Sequence, residues 1–362
     1  MTSKLNPTKV GYILCGVAAT FYATLAFGST PSEMAGMSLQ ELLNQPLEEQ
    51  TTDEGAGPWR VGIAYSRLKL DGYLDGTDKV SNSEVLFSGV PGTRTDKNFP
   101  VVPTEIRQEA LILTVRYALN NRISFNLGIP YIRQSTDHIS IVPGYDNFIL
   151  KSEGVGDLSI GLGSVIKEWE TRQISATVGF SVPTGSINQK DDTPRSPGDQ
   201  QLPYTMQLGS GTWDFTAGLN YQQQLGSWEA GSQLLGKLRT GENDRDYRLG
   251  NRASLSAWVK SHHHEWLHPS AKLGYQYWGN IHGEDSDLTV PGPFPYPAGI
   301  TNPEFYGGKK LIASVGVSIG GRKEQLRGNT LGIEFGKPVY QNLNGIQPKE
   351  VWRLNIHWGI EF

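Results

Sequence analysis

The last stretch of the chain, VWRLNIHWGIEF from Val351 to Phe362, alternates between apolar and polar residues. Successive side chains of a β-strand point to opposite faces, so this alternation predicts a strand with one apolar and one polar face. The apolar face of this strand, which includes the aromatic residue Phe362, must be covered either by a protein core or by lipid. Which of the two covers it decides the fold. The apolar positions are Trp352, Leu354, Ile356, Trp358, Ile360 and Phe362, and the others are Arg353, Asn355, His357, Gly359 and Glu361.

The composition excludes several classes of protein. The 362-residue chain contains 43 glycines, 10% aromatic residues and 19% charged residues. It is too hydrophilic for a bundle of membrane helices and too aromatic and regularly patterned for a disordered protein. The formal net charge of -4 and the lack of a Lys/Arg-rich run offer no basic surface, so we expect no nucleic-acid partner.

The N-terminal residues have the layout of a secretory signal peptide. Lys4 and Lys9 supply a positive region, residues 11–27 are mostly apolar, and a small-x-small cleavage site ends at Gly28. We predict that residues 1–28 are the signal peptide, with an uncleaved membrane anchor as the alternative. The only cysteine, Cys15, lies within it, so the mature chain would lack thiol chemistry, and we expect no cofactor.

The next segment, residues 29–57, has a different pattern. MSLQELLNQPLEEQ, from Met37 to Gln50, has apolar residues at helical spacing, with Ser38 as an N-cap and Glu41 three residues later. We predict a periplasmic segment that contains a short amphipathic helix. A structured linker and a partner-binding helix are both compatible with this pattern.

Period-2 alternation recurs in twelve segments of about the length that a tilted strand needs to cross a bilayer, and no apolar run after the signal approaches the roughly 20 residues of a membrane helix. Residues 58–362 are therefore predicted to form an all-β, transmembrane, antiparallel up-and-down β-barrel of about 12 strands. The segments are Trp59 to Tyr73, Glu105 to Leu119, Arg122 to Arg133, Val155 to Lys167, Arg172 to Thr184, Thr212 to Gln224, Trp228 to Thr240, Arg248 to Lys260, Ser270 to Asn280, Lys310 to Gly320, Thr330 to Pro338 and Val351 to Phe362.

The connections between these segments alternate between long and short. An outer-membrane barrel has long outer loops and short periplasmic turns, whereas a soluble sandwich has no reason to place every long loop at one end. The long connections are residues 74–104, 134–154, 185–211, 241–247, 281–309 and 339–350.

Aromatic residues lie mainly toward the ends of the predicted strands. Girdles of aromatic side chains mark the two membrane interfaces of outer-membrane barrels. The residues concerned are Trp213, Trp228, Trp258, Trp266, Trp352, Trp358, Tyr117, Tyr131, Tyr221 and Tyr277.

Three stretches carry a resemblance to a known family. They are EGVGDLSIGLGSVI from Glu153 to Ile166, SVPTGSI from Ser181 to Ile187, and LPYTMQLGSGTWDF from Leu202 to Phe215. Together they resemble the outer-membrane β-barrel family named for the meta-pathway of phenol degradation, whose members are regarded as transporters. The resemblance implies the outer membrane of a Gram-negative bacterium, and it brings no binding residues with it.

The last five residues are similar to the signal that the barrel-assembly machinery recognises. That resemblance gives Trp358 and Phe362 the role of an assembly signal. It implies the assembly machinery and outer-membrane lipid as partners.

The polar phase of the predicted strands gives the candidates for the lumen lining. They form either a charged wall that attracts anions or a salt-bridge network that fills the lumen. Lys237, Arg239, Arg248 and Arg252 would make a cationic ladder on two neighbouring strands. The full set is Arg116, Asp157, Asp214, Glu229, Gln233, Lys237, Arg239, Arg248, Arg252, Lys272, Glu334, Arg353 and His357.

Two loops invite other interpretations. His262, His263, His264 and His268 flank one turn and are weak candidates for a metal site, although a polar periplasmic turn is the favoured interpretation. The Pro-rich loop from Thr289 to Pro303 is expected to pack on the surface, with inward folding as a constriction as the alternative.

These observations predict a passive outer-membrane channel for a small solute, with aromatic or hydrophobic solutes favoured only by the family resemblance. Two alternatives stay open, a structural or adhesive barrel with a closed lumen and a membrane-bound hydrolase. We expect no enzyme, because Ser256 has no evident base beside it.

Overall fold

The computed structural model describes residues 57–196, 198–320 and 328–362. The predicted signal peptide and the helix from Met37 to Gln50 lie outside the described residues. Within the three described ranges, no helix has the length and apolarity needed to cross a membrane. The strands are β1 Trp59–Gly76, β2 Asp78–Val80, β3 Val101–Ala118, β4 Ile123–Ser140, β5 Asn147–Val155, β6 Leu158–Trp169, β7 Arg172–Val182, β8 Lys190–Asp192, β9 Asp199–Gln201, β10 Trp213–Leu225, β11 Trp228–Thr240, β12 Tyr247–Arg248, β13 Arg252–Ser261, β14 Leu267–Trp278, β15 His282–Gly283, β16 Gly308–Gly320 and β17 Asn329–Glu361. The helices are α1 Asn82–Val85 and three 3₁₀ turns, Tyr204–Met206, Ser286–Leu288 and Gly299–Thr301.

Eleven of these strands form a closed antiparallel ring. Its order is β1, β3, β4, β6, β7, β10, β11, β13, β14, β16 and β17, and β17 pairs with β1 to complete it. β2 pairs with β1, and β5 pairs with the part of β4 that extends beyond its pairing with β6. The predicted up-and-down barrel is therefore confirmed.

The long strand β17 crosses the wall twice. Its residues 330–343 pair with β16, and its residues 343–361 pair with β1. Gly345, with a φ of 69°, allows the turn between the two passes. At the other end, the Glu361 amide of the second pass donates to the Gly328 carbonyl, just before the first pass, at 2.9 Å. A ring whose neighbours are all antiparallel needs an even number of passes, so the wall is crossed twelve times, as the sequence predicts.

Along each wall strand, buried side chains alternate with exposed ones. In β11, Glu229, Gln233 and Lys237 are buried inside the ring, whereas Leu234 and Leu238 are exposed on its outer face. Large apolar side chains on an outer face belong in lipid rather than in water. A closed barrel with this apolar belt is an outer-membrane fold. One member of the belt from each wall strand is Ile63, Leu113, Phe125, Ile160, Val178, Leu219, Leu234, Leu255, Leu273, Val315 and Ile333.

Several strands continue beyond the apolar belt. β1, β3 and β4 each have 18 residues, more than the roughly 9 to 11 that cross a bilayer. On their outer faces the apolar side chains give way to charged ones at Arg67, Glu109 and Arg133, and Arg133 pairs with Glu153 of β5 at 2.8 Å. The predicted bounds stop short of these strand ends, most of all in β4, where the prediction ends at Arg133 because the alternation between apolar and polar residues ends there.

Two predicted strand bounds need larger corrections. The eighth predicted strand was expected to begin at Arg248, but β13 begins at Arg252, and Arg248 pairs with His282 in a small separate sheet. The fourth predicted strand is divided between β5 and β6, because the chain bends at Gly156 and Asp157. A Cβ at Gly156 would lie 2.6 Å from Cδ1 of Ile132 and 3.2 Å from the Leu208 carbonyl, so a larger residue would require Ile132 to shift.

Candidate functional site: the barrel lumen

The end of the lumen opposite Trp59 and Phe362 is filled by a loop. We call it the outer end, because the termini are predicted to lie in the periplasm. Residues 201–210, between β7 and β10, are all buried and are called the plug from here on. Its Leu208 packs against wall residues Ala110, Ile112 and Ile132, and Leu202 and Met206 pack against Leu150. The plug therefore closes the outer half by apolar packing.

Wall side chains also hold the plug by hydrogen bonds. Gln134 Nε2 donates to the Gln207 carbonyl at 3.2 Å, and Ser152 Oγ donates to the Met206 carbonyl at 2.7 Å. Asp157 accepts from the Ser210 amide at 2.8 Å, from Ser210 Oγ at 2.8 Å and from the Gly185 amide at 3.0 Å. These bonds satisfy polar groups that the plug carries into the lumen.

A second loop, between β15 and β16, folds over the plug. Leu288, Ile300 and Tyr306 are buried in it, at most 3% exposed, and Tyr306 meets Tyr204 of the plug edge to face at 5.6 Å between ring centroids. Burial raises the pKa of the Tyr204 phenol well above its ordinary value, so the ring stays neutral. The expected surface packing of the loop from Thr289 to Pro303 is wrong for its second half, which is buried from Pro297 to Pro303.

Three charged side chains meet beside the plug, whose Thr205 lines one small cavity together with Lys310 and Glu350. The Glu350 carboxylate accepts from Arg353 Nε at 2.7 Å and Nη2 at 2.8 Å, and it also accepts from Lys310 Nζ. The Glu350 and Lys310 side chains are 1% and 5% exposed. Arg353 was a candidate of the sequence analysis. Lys310 and Glu350 were missed because each lies at the edge of a predicted loop, where the polar phase is hard to assign.

The cationic ladder exists in part. Lys237 and Arg252 stand directly opposite each other on β11 and β13. Arg239 bonds to Asp214, and both are almost fully buried. Arg248 lies outside the wall and does not extend the ladder. Asp157, another lumen candidate, lies between β5 and β6 and binds the plug.

The inner half of the lumen, toward the termini, contains a cavity of about 130 Å³. On one wall, Lys272 Nζ lies 3.3 Å from both carboxylate oxygens of Glu334. Trp258 also lines this cavity, so it faces the lumen and is not part of a lipid-facing girdle. A smaller cavity of about 70 Å³ is lined by Arg116 and by His357, which borders both.

The histidine turn makes polar contacts at the inner end. His262 Nε2 lies 3.2 Å from Glu229, a lumen candidate, and the His262 and His268 rings are 4.6 Å apart. His263 contacts Ser261 at 2.9 Å. Among the residues that the structure describes, no three His, Cys, Asp or Glu side chains are placed to hold a metal ion.

Comparisons with known proteins identify similar structures but no similar sequence. No family model and no curated protein matches the sequence. Among solved structures, the chain is similar to an outer membrane channel from Pseudomonas putida F1, with a TM-score of 0.55 and 16% identity over 87% of this chain and 100% of the other.

Two further solved structures have lower scores. The β domain of the Bordetella autotransporter BrkA has a TM-score of 0.42 and 11% identity over 85% of this chain and 100% of its own. The translocator domain of the autotransporter NalP from Neisseria meningitidis has a TM-score of 0.42 and 11% identity over 94% and 100%. Scores below 0.5 do not establish a shared topology, so the likeness that counts is the first. The chain shares the fold of an outer-membrane channel barrel.

Proposed function

We propose that this protein is a passive outer-membrane channel for a small solute. The observation that carries the proposal is the cavity of about 130 Å³ in the inner half of the lumen, which is lined by charged and hydroxyl side chains together with Trp258. A barrel of eight strands is filled by its own side chains, whereas twelve passes leave interior space. A barrel with a purely structural role would not be stabilised by a cavity lined with charged side chains, because burying charges costs free energy.

The plug would be the gating element of this channel. Its closure of the outer end rests on apolar contacts of Leu202, Met206 and Leu208 and on a small number of hydrogen bonds from the wall. Loops of this kind open locally at a lower free energy than the strands around them. Movement of the plug would join the inner cavity to the outside.

The membership of the phenol meta-pathway family and an aromatic or hydrophobic solute are finer proposals. The sequence stretches quoted above support the first. The apolar packing around the plug suits a solute with an apolar ring, since such a solute could replace the contacts of Leu208 as it passes.

Planar-bilayer recording of the purified barrel tests the channel. We expect small, fluctuating conductance steps, because the plug must move for each opening. Liposome swelling with phenol, benzoate and small sugars would rank the solutes. A folded barrel, shown by heat-modifiable migration in a gel, that gives neither conductance nor swelling would contradict the proposal.

The closed-lumen barrel is the second candidate, and the complete burial of residues 201–210 favours it. The two candidates differ in one measurement. A variant without the plug should conduct strongly in either case, whereas only the channel should conduct with the plug present.

A further inference from the structure

We infer that the inner cavity is a binding site for a neutral, polyhydroxylated ring such as a monosaccharide, with the indole of Trp258 as its platform. The inference rests on the proposed function in that the solute must reach the inner half of the lumen. It goes further, because it names a site and a chemical class of ligand, and at this site a sugar ring takes the place of the aromatic solute that the family resemblance favours.

The platform is built by three neighbouring strands. Trp258 of β13 stands opposite Gly231 of β11 and opposite Lys272 of β14. A Cβ on Gly231 would lie 2.2 Å from Cζ2 of Trp258, so the indole occupies the space above this glycine. The glycine thus lets the ring lie against the wall, where it presents an apolar surface to the cavity.

The floor beside the indole consists of small residues. Ser270 stands opposite Gly316, and Gly316 stands opposite Glu334 in the next pass. Because the side chains between them are short, Lys272 on β14 reaches across β16 to Glu334 on β17. This leaves a recess with an aromatic side and a charged side.

The charges around the recess cancel. Its lining includes two carboxylates, Glu229 and Glu334, and two ammonium groups, Lys260 and Lys272. A charged ligand would give the recess a net charge, which is costly beside groups as buried as Glu229 and Lys260. A neutral ligand that both donates and accepts hydrogen bonds keeps the balance, because each hydroxyl group does both.

The size of the recess and its polar groups indicate a single ring. The cavity, at about 130 Å³, is smaller than the roughly 300 Å³ at which pockets for drug-sized ligands begin. Serine hydroxyls, carboxylates and ammonium groups surround the one indole, so the apolar face of a sugar ring would lie on Trp258. Its hydroxyl groups would accept from Lys272 and donate to Glu334.

Saturation-transfer NMR on the full, refolded barrel tests this inference. The probe is methyl β-D-glucopyranoside, and the detergent is one without a sugar headgroup. We expect saturation transfer to the ring protons of the probe and a reduction of about tenfold in affinity for Trp258→Ala. Trp213→Ala, which removes an exposed indole of the lipid-facing surface, is the matched control and should bind as the unmodified protein does.

Two more variants keep the test independent of folding defects. Gly231→Ala retains the indole but displaces it, so it should also weaken binding. Glu334→Gln makes the recess net positive, so glucuronate should then bind more tightly than the neutral glycoside. Equal binding in Trp258→Ala and the unmodified protein, or stronger binding of phenol and benzoate than of the glycoside, would overturn the inference.

The outcome separates this inference from the channel proposal. Binding that depends on Trp258, in a barrel that never conducts, supports the site and removes the channel. Conductance without any binding of the glycoside removes the site and leaves the channel.

Discussion

Trp59 and Phe362 exchange two backbone hydrogen bonds, from the Trp59 amide to the Phe362 carbonyl at 3.2 Å and from the Phe362 amide to the Trp59 carbonyl at 3.0 Å. These bonds end the ladder between β1 and β17, where Arg60 also pairs with Glu361 at 3.1 Å. The Phe362 side chain is 59% exposed, so it contributes little to packing within the barrel. Phe362 therefore contributes to the closing seam through its backbone hydrogen bonds to Trp59.

Deletion of Phe362 should lower the yield of folded barrel, because the seam loses both bonds to Trp59 and the predicted assembly signal loses its aromatic residue. The measurement is the fraction of heat-modifiable protein in isolated outer membranes. Phe362→Tyr keeps the backbone and an aromatic ring and serves as the control. Undiminished assembly of the deletion variant would show that the seam closes without this residue.

Glu350→Gln should destabilise the barrel by on the order of 3–5 kcal/mol, because it removes the carboxylate that neutralises the buried Lys310 ammonium. The shift of the urea midpoint, followed by gel mobility, measures the loss. Glu153→Gln is the matched control, since its partner Arg133 is 64% exposed and such pairs contribute about 0–1 kcal/mol. Equal midpoints for the two variants would contradict the importance of the buried cluster.

Lys237→Gln combined with Arg252→Gln should make the pore less selective for anions, because these two cations face each other in the lumen. We expect the ratio of anion to cation permeability to fall by roughly half or more. Reversal potentials in a salt gradient measure it. Arg133→Gln, on the outer face, should leave the ratio unchanged, and an unchanged ratio in the double variant would favour a filled lumen.

Asp157→Ala should increase the open time of the channel, because the plug loses its bonds from Ser210 and the Gly185 amide no longer has its acceptor. Bonds to a charged group contribute about 1.5–3 kcal/mol, so the open fraction should rise by roughly tenfold or more. Single-channel recording gives the open fraction. Asp146→Ala changes an exposed carboxylate of an outer loop and should have no such effect; the same open fraction in both would show that Asp157 does not hold the plug.

The structure agrees with the sequence where a local pattern has a direct physical cause. Alternation along VWRLNIHWGIEF identifies a strand because lipid and lumen demand opposite side chains at successive positions. The same rule locates the inward positions of Glu229, Gln233 and Lys237. The rule also places Trp258 inward, so the assignment of this residue to a lipid-facing girdle, which rested on its aromatic character, is wrong.

What the sequence determined by itself was the set of wall crossings, the alternation of long and short connections and the apolar outer face, since each depends on residues close together in the chain. Only the tertiary structure decided which residues fill the lumen. The plug is bound to the wall by hydrogen bonds such as that from Gln134 to the Gln207 carbonyl, and Glu350 of β17 pairs with Lys310 of β16. Such contacts join residues that are far apart in the chain, and the curvature and register of the closed barrel bring them together.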